Sequence, residues 1–147
     1  IAIDRNDKKL EFARKLGADH AIRLSGSTRK EVKEITQGRG VDVIVDCVGA
    51  ENTISVSVGL LSKGGVLAVV GLFGAQVCVP LMPTVINEYQ ITGSLWGNYN
   101  ELCEVIELAR QGKVKHTIQT FSLEDINDAI NLLKSGQITG RAVITPN

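Results

Sequence analysis

The chain has 147 residues, with 16 basic and 16 acidic side chains, and its 44% hydrophobic and 22% charged residues are the make-up of one globular domain rather than a disordered chain. The formal charge is zero and no block of like charge occurs, so an electrostatic footprint for a nucleic-acid backbone or an anionic membrane is excluded. One tryptophan, two tyrosines and three phenylalanines are too few for the stacking platform of a single-strand binder.

Short apolar runs alternate with amphipathic helices. The chain opens on Ile1-Ala2-Ile3-Asp4, which reads as a strand, and Asn6 can cap a helix with Leu10, Ala13 and Leu16 inward and Gly17 as its stop. Ala21-Ile22 is a second short strand. Thr28-x-x-Glu31 has capping-box spacing for a helix that turns Val32 and Ile35 inward and ends at Gly38. Val41 to Val45 is a near-continuous β-branched run, the pattern of a strand buried on both faces. Ile54 to Leu61 reads as a helix between Gly49 and the Gly64-Gly65 loop, although Ser55 to Val58 also alternates like a strand.

Val66 to Val70 is a further buried strand closed by Gly71, and Ile91-Thr92 leads into another near Gly93. Leu102, Val105, Ile106 and Ala109 form a helix stripe ending at Gly112. Ser122-x-x-Asp125 opens a helix with Ile126, Ala129, Ile130 and Leu133 inward, stopped by Gly136. Ala142-Val143-Ile144 is the last strand.

The stretch from Val66 to Met82 is the longest apolar one, but glycines, Gln76 and Pro80 interrupt it and it is shorter than the roughly 20 residues of a spanning helix. No membrane partner is expected. Cys47, Cys78 and Cys103 are odd in number and widely spaced, which predicts buried, reduced thiols in a cytoplasmic protein rather than a disulfide framework or metal knuckle. No signal peptide is recognisable at the start. The only methionine is Met82, and a strand begins without any preceding turn, so the chain reads as a piece of something longer.

Strand–helix alternation predicts an α/β, doubly wound parallel sheet, and in such sheets ligands bind beyond the carboxyl ends of the strands. The informative positions therefore follow the strands. Asp4 can accept hydrogen bonds from both hydroxyls of an adenosine ribose, or it is a surface acid near a helix N-terminus. Arg5 beside it could meet a 2′-phosphate. A carboxylate about 4 Å from that phosphate costs on the order of 4 kcal/mol at an effective dielectric of 20, so the pair favours NAD over NADP. Asp46-Cys47-Val48-Gly49 runs from a strand end into a glycine, which lets a flat ligand approach or simply permits a tight turn. Val70-Gly71-Leu72 and Ser94-Leu95-Trp96-Gly97 read the same two ways. His20 and His116 stand alone, and neither is expected to be catalytic.

Taken in order, these segments resemble the medium-chain zinc-dependent alcohol dehydrogenases, and the likeness runs the whole length of the chain. It is carried by Asp4-Arg5-Asn6 with Lys8-Lys9-Leu10, Lys15-Leu16-Gly17-Ala18-Asp19, Gly38-Arg39-Gly40-Val41-Asp42, Asp46-Cys47-Val48-Gly49 and Leu61-Ser62-Lys63-Gly64-Gly65. Val70 to Gly74, Gly93-Ser94-Leu95, Gly112 to Lys115 and Gly140-Arg141-Ala142 continue the series. The resemblance implies a Rossmann-like, NAD-binding fold and a hydride transfer between an alcohol or polyol and NAD. It implies that Asp4 binds the adenosine ribose with help from Lys9. Cys47, Val48 and Gly49 wall the adenine and its ribose. Val70, Gly71, Leu72, Ser94, Leu95 and Trp96 supply the backbone around the nicotinamide carboxamide, and Arg141 meets the pyrophosphate. It also implies a homo-oligomer, a dimer or tetramer.

The departures from that family matter equally. Its first strand, its G-x-G-x-x-G loop and its catalytic domain with the zinc ligands have no counterpart in residues 1–147. The expected fold is therefore truncated at its N-terminus, with 1–95 a partial dinucleotide-binding domain and 96–147 returning to a catalytic domain outside it. No catalytic or metal residue is expected in this chain, and zinc belongs to the full-length enzyme only. In strand order 3-2-1-4-5-6 the absent strand is central, so the sheet should split into a two-strand piece and a remainder with open edges, unless other pairing closes the gap. A zinc-free NADPH-dependent quinone or enoyl reductase relative and a non-catalytic nucleotide-binding module are the alternatives.

Overall fold

The computed structural model describes residues 1–146. The chain runs β1 (Ala2–Asp4), α1 (Asp7–Lys15), β2 (Ala21–Arg23), α2 (Thr28–Ile35), β3 (Val41–Asp46), α3 (Glu51–Val58) and β4 (Leu61–Val69). It continues through α4 (Leu81–Ile86), β5 (Gln90–Gly93), α5 (Tyr99–Arg110), β6 (Ile118–Ser122), α6 (Ile126–Lys134) and β7 (Arg141–Thr145). Among the described residues the strands form three separate sheets, β1–β2, β3–β4–β5 and β6–β7. Among the described residues no pairing joins the first two, the split into a two-strand piece and a remainder that the sequence leads one to expect. Among the described residues no helix is long and apolar enough to cross a membrane. Two compact units emerge, Ile22–Trp96 and Ile1–Ala21 with Gly97 onward.

The first of these units holds the parallel sheet. β3 pairs with β4 from Val43↔Val66 to Asp46↔Val69, and β4 pairs with β5 from Val66↔Gln90 to Val69↔Gly93. All three strands thus end at the same level. Ile54 and Val58 of α3 pack with Leu61 and Leu67 of β4, and Ile22, Val32 and Leu60 form a second cluster. Removing a fully buried side chain such as Leu67 from water contributes about 1.5–3 kcal/mol.

Three expectations change in this unit. β3 is not covered on both faces: Ile44 packs into both clusters, but Val43 is 62% and Val45 59% exposed on an edge strand. β4 starts at Leu61 and carries Gly64-Gly65 inside it, where the register with β3 shifts between Val41 and Val43, so Leu61 belongs to a strand and not to α3. The N-cap of α2 is Ser27, not Thr28. The Thr28 hydroxyl is buried, accepting from Ser25 N at 2.8 Å and donating to Arg23 O at 3.2 Å, while Ser27 Oγ donates to Glu31 Oε1 at 2.6 Å.

In the other unit, Asn6 caps α1 as expected, its side chain accepting from Lys8 N at 2.9 Å, and Leu10 is buried. Arg14 donates to Ala21 O at 2.7 Å. β6 and β7 are parallel in the register Ile118↔Arg141 to Ser122↔Thr145. Asn98 and Glu101 form a capping box at the start of α5, with Glu101 N–H to Asn98 Oδ1 at 3.0 Å and Asn98 N–H to Glu101 Oε2 at 2.6 Å. The apolar stripe of α5 (Leu102, Val105, Ile106) is exposed, and on α6 only Ala129 of the four expected residues is buried. The 3.6-residue period marks an apolar face on each helix, yet most of that face is exposed.

Candidate functional site

The parallel register brings three segments to one rim. Cys47-Val48-Gly49 follows β3, Val70-Gly71-Leu72 follows β4, and Ser94-Leu95-Trp96 follows β5, in the spatial order of the strands. Nine of the thirteen residues expected from the sequence to hold the cofactor lie on this rim. Ser94 N–H donates to Val69 O at 3.0 Å, which carries the β4–β5 pairing one residue past the strand.

Asp46 organises the rim. Its carboxylate is buried and accepts the N–H groups of Val48 at 2.8 Å and Gly49 at 2.7 Å, an Asx-type turn at the strand end. Its backbone carbonyl accepts from Val70 N at 2.9 Å and Gly71 N at 3.0 Å. One residue therefore fixes the start of both loops. Sequence reasoning passed over it as a mere strand end. The signal was present as an aspartate three residues before a glycine.

The two loops then interlock. Phe73 N–H donates to Val48 O at 3.0 Å and Gly74 N–H to Gly49 O at 2.9 Å. Gly49 has a φ of +69°, and a Cβ on it would collide with the Gly71 carbonyl; a Cβ on Gly71 would collide with the backbone of Val48 and Cys47. The room left by these missing side chains is thus taken by backbone of the neighbouring loop. The glycines let two loops pack into a single wall of closely spaced backbone.

Apart from Ser94, the side chains on the rim are apolar, and several are exposed. Leu72 is 82%, Phe73 86% and Trp96 92% exposed. Trp96 also has a φ of +56°, a left-handed backbone that costs an L-residue about 1–2 kcal/mol. Cys47 is exposed, as are Cys78 and Cys103, and all three are free thiols. The expectation of buried cysteines fails because each lies outside the two hydrophobic clusters, Cys47 on the rim itself.

The remaining four expected residues lie in the other unit. Asp4 ends β1 half-buried, and its Oδ1 accepts the Asn6 N–H at 2.8 Å. Arg5 and Lys9 follow it on the exposed side of the turn and first helical turn. Arg141 opens β7 in the separate β6–β7 sheet. Among the described residues no three His, Cys, Asp or Glu side chains gather as metal ligands, so the donor set does not fit a zinc ion and no metal step is assigned to these residues.

Comparisons with known proteins bear on the family and the fold. A family model described as zinc-binding dehydrogenase matches residues 1–111. The NAD-dependent alcohol dehydrogenase of Sulfurisphaera tokodaii is 37% identical over 99% of this chain and 43% of its own length. The D-arabinose 1-dehydrogenase (NADP(+)) of Saccharolobus solfataricus is 34% identical over 99% of this chain and 42% of its own. Among solved structures, the alcohol dehydrogenase of the hyperthermophilic archaeon Aeropyrum pernix matches with a TM-score of 0.93 at 40% identity, covering 99% of this chain and 42% of that one. The chain thus spans less than half the length of these relatives. With three parallel strands ending on one glycine-walled rim and a family model matched over most of its residues, the chain belongs to the zinc-binding dehydrogenase family.

Proposed function

We propose that residues 1–147 are the cofactor portion of an NAD-dependent alcohol dehydrogenase, with residues 1–95 a partial dinucleotide-binding domain and 96–147 leading back to a catalytic domain that holds the zinc. The observation that supports this most is the rim of Cys47-Val48-Gly49, Val70-Gly71-Leu72 and Ser94-Leu95-Trp96 at the carboxyl ends of β3, β4 and β5. Open α/β sheets bind nucleotides at that place. In the first two segments Gly49 and Gly71 pack directly on the neighbouring loop, which leaves backbone and apolar side chains facing the place a nucleotide would take. When bound, the nicotinamide supplies the hydride acceptor. The chain's own residues bind and orient it. Asp4 keeps a second carboxylate oxygen for the ribose hydroxyls, Lys9 assists it, and Arg141 suits a pyrophosphate.

The D-arabinose relative is named for NADP, so the choice between cofactors is a specific question. Asp4 argues for NAD, because its charge about 4 Å from a 2′-phosphate would oppose binding by about 4 kcal/mol at an effective dielectric of 20. Three free cysteines fit a reducing, cytoplasmic compartment, and a homo-oligomer working on a small alcohol or carbonyl substrate completes the reading. Calorimetry on the full-length gene product tests it. NADH should bind at least tenfold more tightly than NADPH, and Asp4→Asn should cut that ratio about tenfold, the equivalent of 1.4 kcal/mol. Equal affinity for both cofactors, unaffected by the substitution, contradicts the assignment of Asp4. Residues 1–147 alone should bind NAD poorly, since no glycine-rich loop with its helix N-terminus is among them to hold the pyrophosphate.

A further inference from the structure

We infer that Asp46 is a positioning residue for the cofactor. It fastens the loop expected to meet the adenosine to the loop expected to meet the nicotinamide, so that both halves of the dinucleotide are seated in one register. The inference rests on the cofactor reading above and deepens it by naming the group that couples the two halves. Among the described residues Asp46 is the only buried aspartate or glutamate, at 6% exposure. A carboxylate taken out of water is costly unless it is well hydrogen-bonded, and a neutral asparagine can make the same kind of turn. What the acid adds is grip, because N–H groups bonded to a carboxylate are held about twice as strongly as by a neutral acceptor.

The bonds form a closed ring through both loops. Oδ1 of Asp46 takes the N–H groups of Val48 at 2.8 Å and Gly49 at 2.7 Å, and its main-chain oxygen takes those of Val70 at 2.9 Å and Gly71 at 3.0 Å. Farther out, Phe73 N–H meets Val48 O at 3.0 Å and Gly74 N–H meets Gly49 O at 2.9 Å, which ties the loops together a second time. Ser94 N–H on Val69 O, at 3.0 Å, fastens the third segment to the residue just before Val70. The contact of Gly49 with Gly71 leaves no slack between the loops, since a single Cβ on either would collide with the other's backbone. A shift of 47–49 is therefore passed on to 70–74. Hydride transfer needs its reacting atoms about 3–3.5 Å apart, and a misplacement of about 1 Å can cost about a hundredfold in rate. A shared anchor for both loops sets that distance once the adenosine is seated.

Asp46→Ala in the full-length gene product tests the inference with two probes. ADP-ribose, which lacks the nicotinamide, reads the adenosine half by calorimetry, and the emission of NADH bound at saturation reads the surroundings of the nicotinamide ring. The substitution should weaken ADP-ribose about tenfold, because a loop no longer held must be ordered on binding, and should remove about half of the NADH emission enhancement. Both bonds of the side chain fall on Oδ1, so the amide oxygen of Asp46→Asn can replace it and should restore both readouts, with ADP-ribose within about threefold of the wild type. Val32→Ala opens a cavity in the second hydrophobic cluster and should leave both readouts unchanged, which separates positioning from general loosening. If Asp46→Ala does not fold, Asp46→Ser, which keeps a shorter acceptor, should show both changes in smaller measure. Weakened ADP-ribose with unchanged NADH emission, two unchanged readouts, or equal changes in Val32→Ala overturns the inference and leaves the cofactor reading standing. A wild type that binds neither probe removes both.

Discussion

Replacing Gly71 by alanine is the sharpest test of how the rim is built. The new methyl would enter the backbone of Cys47 and Val48, so the loops after β3 and β4 must part. Parting them breaks the Phe73–Val48 bond at 3.0 Å and the Gly74–Gly49 bond at 2.9 Å. Two lost backbone hydrogen bonds at about 1 kcal/mol each, with about 1–2 kcal/mol of overpacking, give a destabilisation of about 3–4 kcal/mol. A domain has only about 5–15 kcal/mol in total, and about 3 °C is lost per kcal/mol at this size, so Tm should fall by about 10 °C. Gly49→Ala should cost about 1–2 kcal/mol more, because it adds the left-handed penalty at φ +69°. Gly93→Ala is the control, since a Cβ there meets nothing within 4 Å, and it should stay within about 0.5 kcal/mol of the wild type. Urea and thermal unfolding followed by far-ultraviolet circular dichroism measure all three. A Gly71→Ala chain as stable as Gly93→Ala would refute the interlocked wall.

Two further outcomes follow from named contacts. Asp46→Ala removes the acceptor of two N–H bonds and should cost about 2–3 kcal/mol in urea unfolding, whereas Asp46→Asn, which retains an oxygen, should lose less than half of that. Asp42 accepts from Arg39 and, at 2.9 Å, from Ser62, and the Arg39 guanidinium first and the Ser62 hydroxyl second hold its carboxyl below the ordinary carboxylate value. The ionised form is therefore favoured in the folded chain, so its contribution is present above about pH 4 and is lost as pH falls through the folded value. Unfolding midpoints measured downward from pH 4 should drop less steeply in Asp42→Asn than in the wild type, and parallel slopes would show that the pair contributes nothing.

The elements legible in the sequence were those set by short-range rules. Asn6 before α1, the β-branched run of β3 and a short strand near Gly93 are fixed by capping, propensity and turn chemistry within a few residues, and the structure has all of them. α4 and β6 were not expected from the sequence. α4 begins after Pro80 with a proline inside its first turn, and β6 lies in a stretch with neither caps nor a clean alternation. What periodicity cannot reveal is the partner. Val43, Val45 and the stripes of α5 and α6 have the pattern of buried faces, but burial depends on elements that no local rule names. The three post-strand segments were legible as neighbours on one rim because parallel strands in this register end at one level. The roles of Gly49 and Gly71 as each other's neighbours were not, since only the pairing of β3 with β4 brings them together.

Hydrogen exchange read by mass spectrometry, on the full-length gene product with and without saturating NADH, tests the central claim most directly. The account predicts slowed exchange in the peptides covering 47–49, 70–72 and 94–96, together with that covering Asp4 to Lys9. Protection confined to other segments, with these four unchanged, would contradict it.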